Sequence, residues 1–140
     1  MSKQTQAGGC LCGAVTNSIA GPLRDVVACH CGQCRKTSGH FVAATAALTR
    51  DLTITDTGAL RWYRSSAEAE RGFCGVCGSS LFWRRIDGDE VSIMAGGLEG
   101  PTGLTISSHI FIQDAGDYYD LPDGVETLEH GDHGLTPTDG

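Results

Sequence analysis

Seven cysteines fall into three groups along the chain: Cys10 and Cys12, then Cys29, Cys31 and Cys34, then Cys74 and Cys77. Cys74-Gly75-Val76-Cys77-Gly78 is a C-x-x-C pair with a glycine after each cysteine, which lets the backbone curl under a metal and point N–H groups at the thiolates. Cys10-Leu11-Cys12-Gly13 supplies a second pair beside a similar turn. Two pairs make one closed tetrahedral site with no room for a substrate. Its expected role is structural, tying the N-terminal segment to the hairpin that carries Cys74 and Cys77. The alternatives, buried apolar cysteines or a redox-active C-x-x-C, leave the second pair and the glycines without a purpose.

Cys29-His30-Cys31-Gly32-Gln33-Cys34 places three thiols in six residues. In an extended segment Cys29 and Cys31 point to one side and His30 to the other, so His30 is not expected to join the same ion. A turn at Gly32 brings Cys34 back to complete a three-thiolate face. Its fourth position is left to water, substrate or a distant side chain. An incomplete ligand set separates a catalytic zinc from a structural one, because exchange at the open position lets the ion polarise a carbonyl or accept a thiolate. Arg35 and Lys36 add positive charge beside that centre and offer a seat for a substrate carboxylate, unless they are ordinary solvated charges. His40 and His109 are the candidates for a fourth ligand or a proton shuttle, with a structural role as the plainer reading. His40 is the choice for moving the proton.

The composition narrows the setting. Lys+Arg 10 against Asp+Glu 17 gives a formal charge of -7, which disfavours nucleic acid and anionic membrane surfaces as partners. No run of about 18 apolar residues is present to span a bilayer, and residues 1–9 lack the apolar core of a secretory signal. A cytoplasmic location is therefore expected. Thiols stay reduced there, which favours metal ligands or nucleophiles over a disulfide framework, and the odd cysteine count agrees. No phosphate-cradling glycine loop, H-E-x-x-H or nucleophile elbow is found.

The elements that must position these groups are short. Segments rich in β-branched and aromatic residues, at 41–48, 52–55, 60–63, 80–83, 91–94 and 107–112, are separated by Gly, Asp or Ser and predict an antiparallel, mainly β domain. Alanines 43, 44, 46 and 47 would suit a helix, but Thr45 and the flanking Phe41, Val42 and Thr49 favour a strand. One short helix is expected from near Gln33 to Gly39, carrying Cys34. Length and composition predict a single domain over residues 1–124. Residues 125–140, rich in Gly, Asp, Thr and Pro, read as a poorly ordered tail in which His130, Asp132 and His133 are solvated. Trp62, Phe73, Phe82 and Trp83 are expected in the core.

The stretches GGCLCGAV, CHCGQCRKTSG, RGFCGVCGSSLFW, VSIMAGGLEG and SSHIFIQDAGDYYDLPDG together resemble the glutathione-dependent formaldehyde-activating enzyme family, also called the centromere-protein-V-like or GFA domain. The resemblance covers about residues 8–124. It implies a β-tent fold of several coiled antiparallel sheets with one or two short helices, and two zinc ions. Cys10, Cys12, Cys74 and Cys77 match the family's structural site, and Cys29, Cys31 and Cys34 its catalytic site. The implied activity is the condensation of formaldehyde with glutathione to S-(hydroxymethyl)glutathione, classed as a carbon–sulfur lyase. The chain has Tyr118 and Glu126 where the family commonly carries Trp and Pro around its L-P-D-G turn, which implies a different pocket wall. The expected function is accordingly that of a zinc-dependent lyase acting on a small thiol and an aldehyde. The alternatives are a noncatalytic zinc-stabilised module for a protein partner, and a reductase that cycles Cys74 and Cys77 without zinc.

Overall fold

The computed structural model describes residues 5–123 and 126–128. Its strands are β1 (Gln6–Gly9), β2 (Val15–Ile19), β3 (Val26–Cys29), β4 (Val42–Leu48), β5 (Leu52–Asp56), β6 (Leu60–Arg64), β7 (Ala69–Cys74), β8 (Ser80–Arg85), β9 (Glu90–Met94), β10 (Ile106–Ile110) and β11 (Glu126–Thr127). The α-helix among the described residues is α1 (Gly32–Ser38), joined by three short 3-10 turns. The strands form two sheets, β1-β2-β5 and β11-β10-β3-β4-β9-β8-β7-β6, so the protein is mainly β as the sequence predicts. No described helix is long and apolar enough to cross a membrane.

Two features depart from the sequence expectation. The larger sheet is mixed rather than wholly antiparallel, because β10 runs parallel to both β3 and β11. The long connection through residues 95–105 carries the chain back along the sheet before β10 begins, and a parallel neighbour requires a crossover of that kind. In addition, Glu126–Thr127 lies within the expected tail yet forms β11 beside Ser108 and His109. His130, Asp132 and His133 lie outside the described residues.

The register of the larger sheet sorts its side chains onto two faces. Trp62, Gly72, Phe82 and Ile93 stand opposite one another across β6, β7, β8 and β9. Phe82 and Ile93 join Val15, Ile19, Ala47, Cys74, Leu81, Val91 and Leu98 in the main core, with Trp62 packed against them. The Trp62 and Phe82 rings lie 6.0 Å apart at 25°, over the backbone of Gly72. Phe73 and Trp83, which alternation turns to the other face, are half-buried. A side chain at Gly72 would meet the Trp62 ring at 3.0 Å and Phe82 at 3.1 Å. Gly72→Ala is therefore expected to cost about 1–3 kcal/mol, as overpacking does, read from the shift of the urea midpoint at unchanged slope.

On the second face, Cys29 stands opposite Val42, and Ala44 opposite Met94. Cys34, Val42 and Ala44 form a small separate cluster with Cys29, Cys31 and Met94 around them. Alternation along β4 thus gives Ala47 to one cluster and Val42 and Ala44 to the other. A strand buried on both sides needs apolar residues at successive positions, which is why an alanine-rich run here is a strand and not a helix.

Candidate metal and thiol sites

Cys10 and Cys12 sit in the turn between β1 and β2, Cys74 ends β7, and Cys77 lies in the turn to β8. Their four Sγ atoms lie within 4.8 Å of one another. Cys10 to Cys12 is 3.7 Å and Cys12 to Cys74 is 3.8 Å. A tetrahedron with metal–sulfur bonds of about 2.3 Å has edges of about 3.8 Å, so the spacing fits a tetrahedral ion such as zinc. Gly13 and Gly78, each directly after the second cysteine of its pair, take φ of +85° and +80°, a left-handed bend that a side chain would resist. These bends let backbone N–H groups face the sulfurs: Val15 donates to Cys10 Sγ at 3.3 Å, and Val76 and Cys77 donate to Cys74 Sγ at 3.4 and 3.5 Å. The Ser79 hydroxyl, 3.1 Å from Cys77 Sγ, and the Ser79 and Cys12 backbones hold the Cys77 thiol down to about 5. The site links the three-stranded sheet to the eight-stranded one.

The second group is built on a strand end and the helix after it. Cys29 closes β3, Cys31 is the N-cap of α1, and Cys34 lies in its first turn. The Cys34 N–H donates to Cys31 Sγ at 3.3 Å, so a sulfur fills the capping position that a hydroxyl or carboxylate usually holds. Gly39 ends the helix at φ +84° and returns its N–H to Arg35, as the sequence predicts. The three Sγ atoms lie within 4.8 Å of one another, and no further His, Cys, Asp or Glu joins them among the described residues.

Hydrogen bonds from Cys29 and Cys34, with the Arg71 charge adding to them, pull the Cys31 thiol far down. Cys31 first and then Cys34, with burial adding to them, push Cys29 far up. Three crowded sulfurs thus resist ionising together without a cation, and a bound dication would remove that conflict. The donor set fits a soft, tetrahedral-preferring ion with one coordination position not filled by protein.

His30 turns away from the sulfurs as alternation predicts and is fully buried. Its Nδ1 is hydrogen-bonded with the Tyr119 hydroxyl, and its Nε2 lies 2.8 Å from His109 Nδ1. Burial, reinforced by the charges His109 and His40 would carry, holds His30 down to about 4, so its ring is neutral at pH 7. Burial also lowers His109. His109 stands opposite Ala28 on the neighbouring strand and is no part of the sulfur group. His40 is exposed, and its Nδ1 lies 2.6 Å from the Tyr118 hydroxyl, outside both sulfur groups. Sequence reading foresaw neither contact, because each partner is about eighty residues away along the chain: 78 for His40 with Tyr118 and 79 for His30 with His109.

The family profile described as glutathione-dependent formaldehyde-activating enzyme matches residues 5–114. The chain belongs to that family. All seven cysteines, His30, His40 and His109 lie inside the matched stretch, whereas Tyr118 and Tyr119 lie beyond it. A relative in Schizosaccharomyces pombe, described as an uncharacterized lyase, is 30% identical over 116 residues, covering 81% of this chain and 83% of its own length. A crystal structure of a Rhodobacter sphaeroides protein is 28% identical with a TM-score of 0.58, covering 69% of this chain and 91% of that one. Family membership agrees with the sequence reading of the 2+3+2 cysteine order.

A residue that sequence reading passed over is Arg71, at the centre of β7. It is only 8% exposed, and its Nη2 reaches both Gln33 Oε1 at 3.2 Å and Cys34 Sγ at 3.9 Å. Glu70, its neighbour in sequence, is turned away and paired with Arg84 at 2.7 Å. The sequence around Arg71, AERGFC, gives no signal of this role, because the contact depends on how β7 is placed beside α1.

Proposed function

We propose that the protein is a zinc-dependent carbon–sulfur lyase that joins, and in reverse separates, a small glutathione-like thiol and an aldehyde such as formaldehyde. The observation that carries this reading is the group of three sulfurs at the end of β3 and the start of α1, which no further His, Cys, Asp or Glu closes among the described residues. The four-sulfur group, shared between two sheets, has the opposite character and serves the fold. Zinc held by Cys29, Cys31 and Cys34 would supply a Lewis acid with one exchangeable position, which favours the thiolate form of an incoming thiol at neutral pH.

The chain's own part is arrangement and proton transfer. The Cys31 sulfur is fixed by the helix end it caps, and Cys34 by the same turn, so the three donors face one point with little freedom to lose on binding. Condensation moves one proton from the sulfur of the thiol to the oxygen of the aldehyde while the carbon–sulfur bond forms. His40, exposed and held by the Tyr118 hydroxyl, is the group proposed to carry that proton.

The test is the rate at which glutathione and formaldehyde give S-(hydroxymethyl)glutathione, followed by exchange NMR at low protein concentration against the uncatalysed background. Zinc-loaded protein is expected to exceed metal-free protein by at least about a hundredfold, the smaller end of what a general acid or base alone provides. No excess over metal-free protein rejects this substrate pair.

A further inference from the structure

His30 stands between two of the three clustered cysteines, and its ring is the centre of a buried polar chain. Its Nδ1 meets the Tyr119 hydroxyl, and its Nε2 lies 2.8 Å from His109 Nδ1. A neutral imidazole has one donor and one acceptor, so these two partners satisfy it completely. The ring is also packed on several sides, with centroids 4.9 Å from Phe41, 5.1 Å from His109 and 5.5 Å from Tyr119. Behind it the His30 N–H donates to the Ile110 carbonyl at 3.0 Å. His109 is fixed in turn, on β10 between β3 and β11, and its carbonyl accepts the Leu128 N–H at 2.8 Å. Tyr119 arrives by a tight fold of the chain, since a side chain at Gly116 would come within 2.9 Å of the Tyr118 ring and 3.1 Å of the Tyr119 ring. Burying polar side chains here is costlier than burying an apolar peg of the same size. What the paired chain adds is a single orientation for the His30 ring, where an apolar side chain would have several.

That orientation reaches the sulfurs through alternation. Cys29 and Cys31 project from the other side of the same three residues, so a swing of the His30 side chain turns the backbone that both cysteines share. Cys34 is placed separately, by the helix that Cys31 caps. We propose that Tyr119 is a positioning residue for the three-sulfur centre: its hydroxyl, through His30, sets the angle at which Cys29 and Cys31 present their sulfurs to a metal. His109 is the fixed far end of the chain. Outer groups that orient a metal's ligands usually do so by a hydrogen bond to the ligand itself; here the connection passes through the peptide backbone. The proposal rests on the three-sulfur group holding a metal, as the lyase reading does, but needs no particular reaction there.

The test is Tyr119→Phe, which removes the hydroxyl and keeps the ring, loaded with cadmium and followed by cadmium NMR, in which the two sulfur groups give separate signals. The three-sulfur signal is expected to shift and broaden while the four-sulfur signal stays. Zinc affinity at the three-sulfur group, read by competition with a chelator, is expected to fall about tenfold, the lower end of what loss of an outer partner brings. Tyr118→Phe, which removes a hydroxyl bonded to His40 instead, is expected to change neither reading. Should Tyr119→Phe fail to fold, Gly116→Ala, which displaces both tyrosine rings and removes no polar group, carries the test with an expected severalfold loss at the three-sulfur group alone. The assignment is overturned if neither signal nor affinity changes, or if no metal enters the three-sulfur group. It is equally overturned if both sulfur groups loosen alike, as a general loss of stability would cause, or if Tyr118→Phe acts like Tyr119→Phe. A protein whose three-sulfur metal is loosened by Tyr119→Phe but which forms no product from glutathione and formaldehyde keeps the positioning role and loses the lyase reading. One that forms product, with metal binding untouched by Tyr119→Phe, keeps the lyase and loses the positioning role.

Discussion

Cys77→Ser is expected to leave the protein unfolded or aggregated, whereas Cys34→Ser is expected to fold with one zinc in place of two. The two substitutions are chemically identical, so the difference comes from what each sulfur joins. Cys77 belongs to a group drawn from two turns, one on the three-stranded sheet and one on the eight-stranded sheet, more than sixty residues apart; Cys12 and Cys74 alone are separated by 62. Structural zinc contributes roughly 10–16 kcal/mol in small peptides, comparable to the roughly 5–15 kcal/mol net stability of an ordinary domain. Losing one of four thiolates therefore removes a contribution that the rest of the fold does not replace.

Cys34 joins only a strand end and the helix that directly follows it, so an ion held there would close a very short loop and add little to the order of the chain. Circular dichroism with zinc counted by atomic emission distinguishes the outcomes. Equal destabilisation by the two variants would favour a module whose two metals only stiffen a surface, and would count against the lyase.

The cysteine groups were legible because each is local. Two or three ligands within six residues are set by one turn, and the glycines that permit the turn stand beside them in the sequence. The joining of Cys10 and Cys12 to Cys74 and Cys77 needed only the arithmetic of a four-ligand shell. The helix at Cys34 was equally local, bounded by its capping sulfur and by Gly39. What was not legible depends on register between distant strands.

β7 reads AERGFC, with a charge pair and a glycine in its centre, and it resembles a loop until Trp62 and Phe82 are known to meet over Gly72 and Arg71 to lie beside Cys34. β1, with two glycines in four residues, was hidden for the same reason. The parallel pairing of β10 with β3 was hidden because nothing in a strand's own sequence states the direction of its neighbour. Two of the four aromatics assigned to the core, Phe73 and Trp83, are half-buried on the other face, a distinction that follows from alternation once β7 and β8 are placed.

The separation of the two apolar clusters leads to the last expected result: Phe82→Ala costs about 3–5 kcal/mol, the usual range for emptying a large aromatic site, yet leaves the three-sulfur group able to take its metal. Phe82 is fully buried and stands between Gly72 and Ile93 in the register. Gly72 has no side chain to move into the space, and the Arg84 guanidinium stacked 3.7 Å over the Trp62 ring restrains that ring, so little collapse is available to reduce the cavity. Cys74 belongs to the same cluster, which makes the four-sulfur group sensitive to the change. Cys29, Cys31 and Cys34 instead pack with Val42, Ala44 and Met94 on the opposite face of the sheet. Well below the lowered melting temperature, zinc bound at the three-sulfur group per folded chain should match wild type, while urea denaturation followed by Trp fluorescence shows the full loss. If the three-sulfur group lost its zinc in proportion to the stability lost, the two faces of the sheet would be one cooperative unit, and the chemistry could not be varied independently of the core.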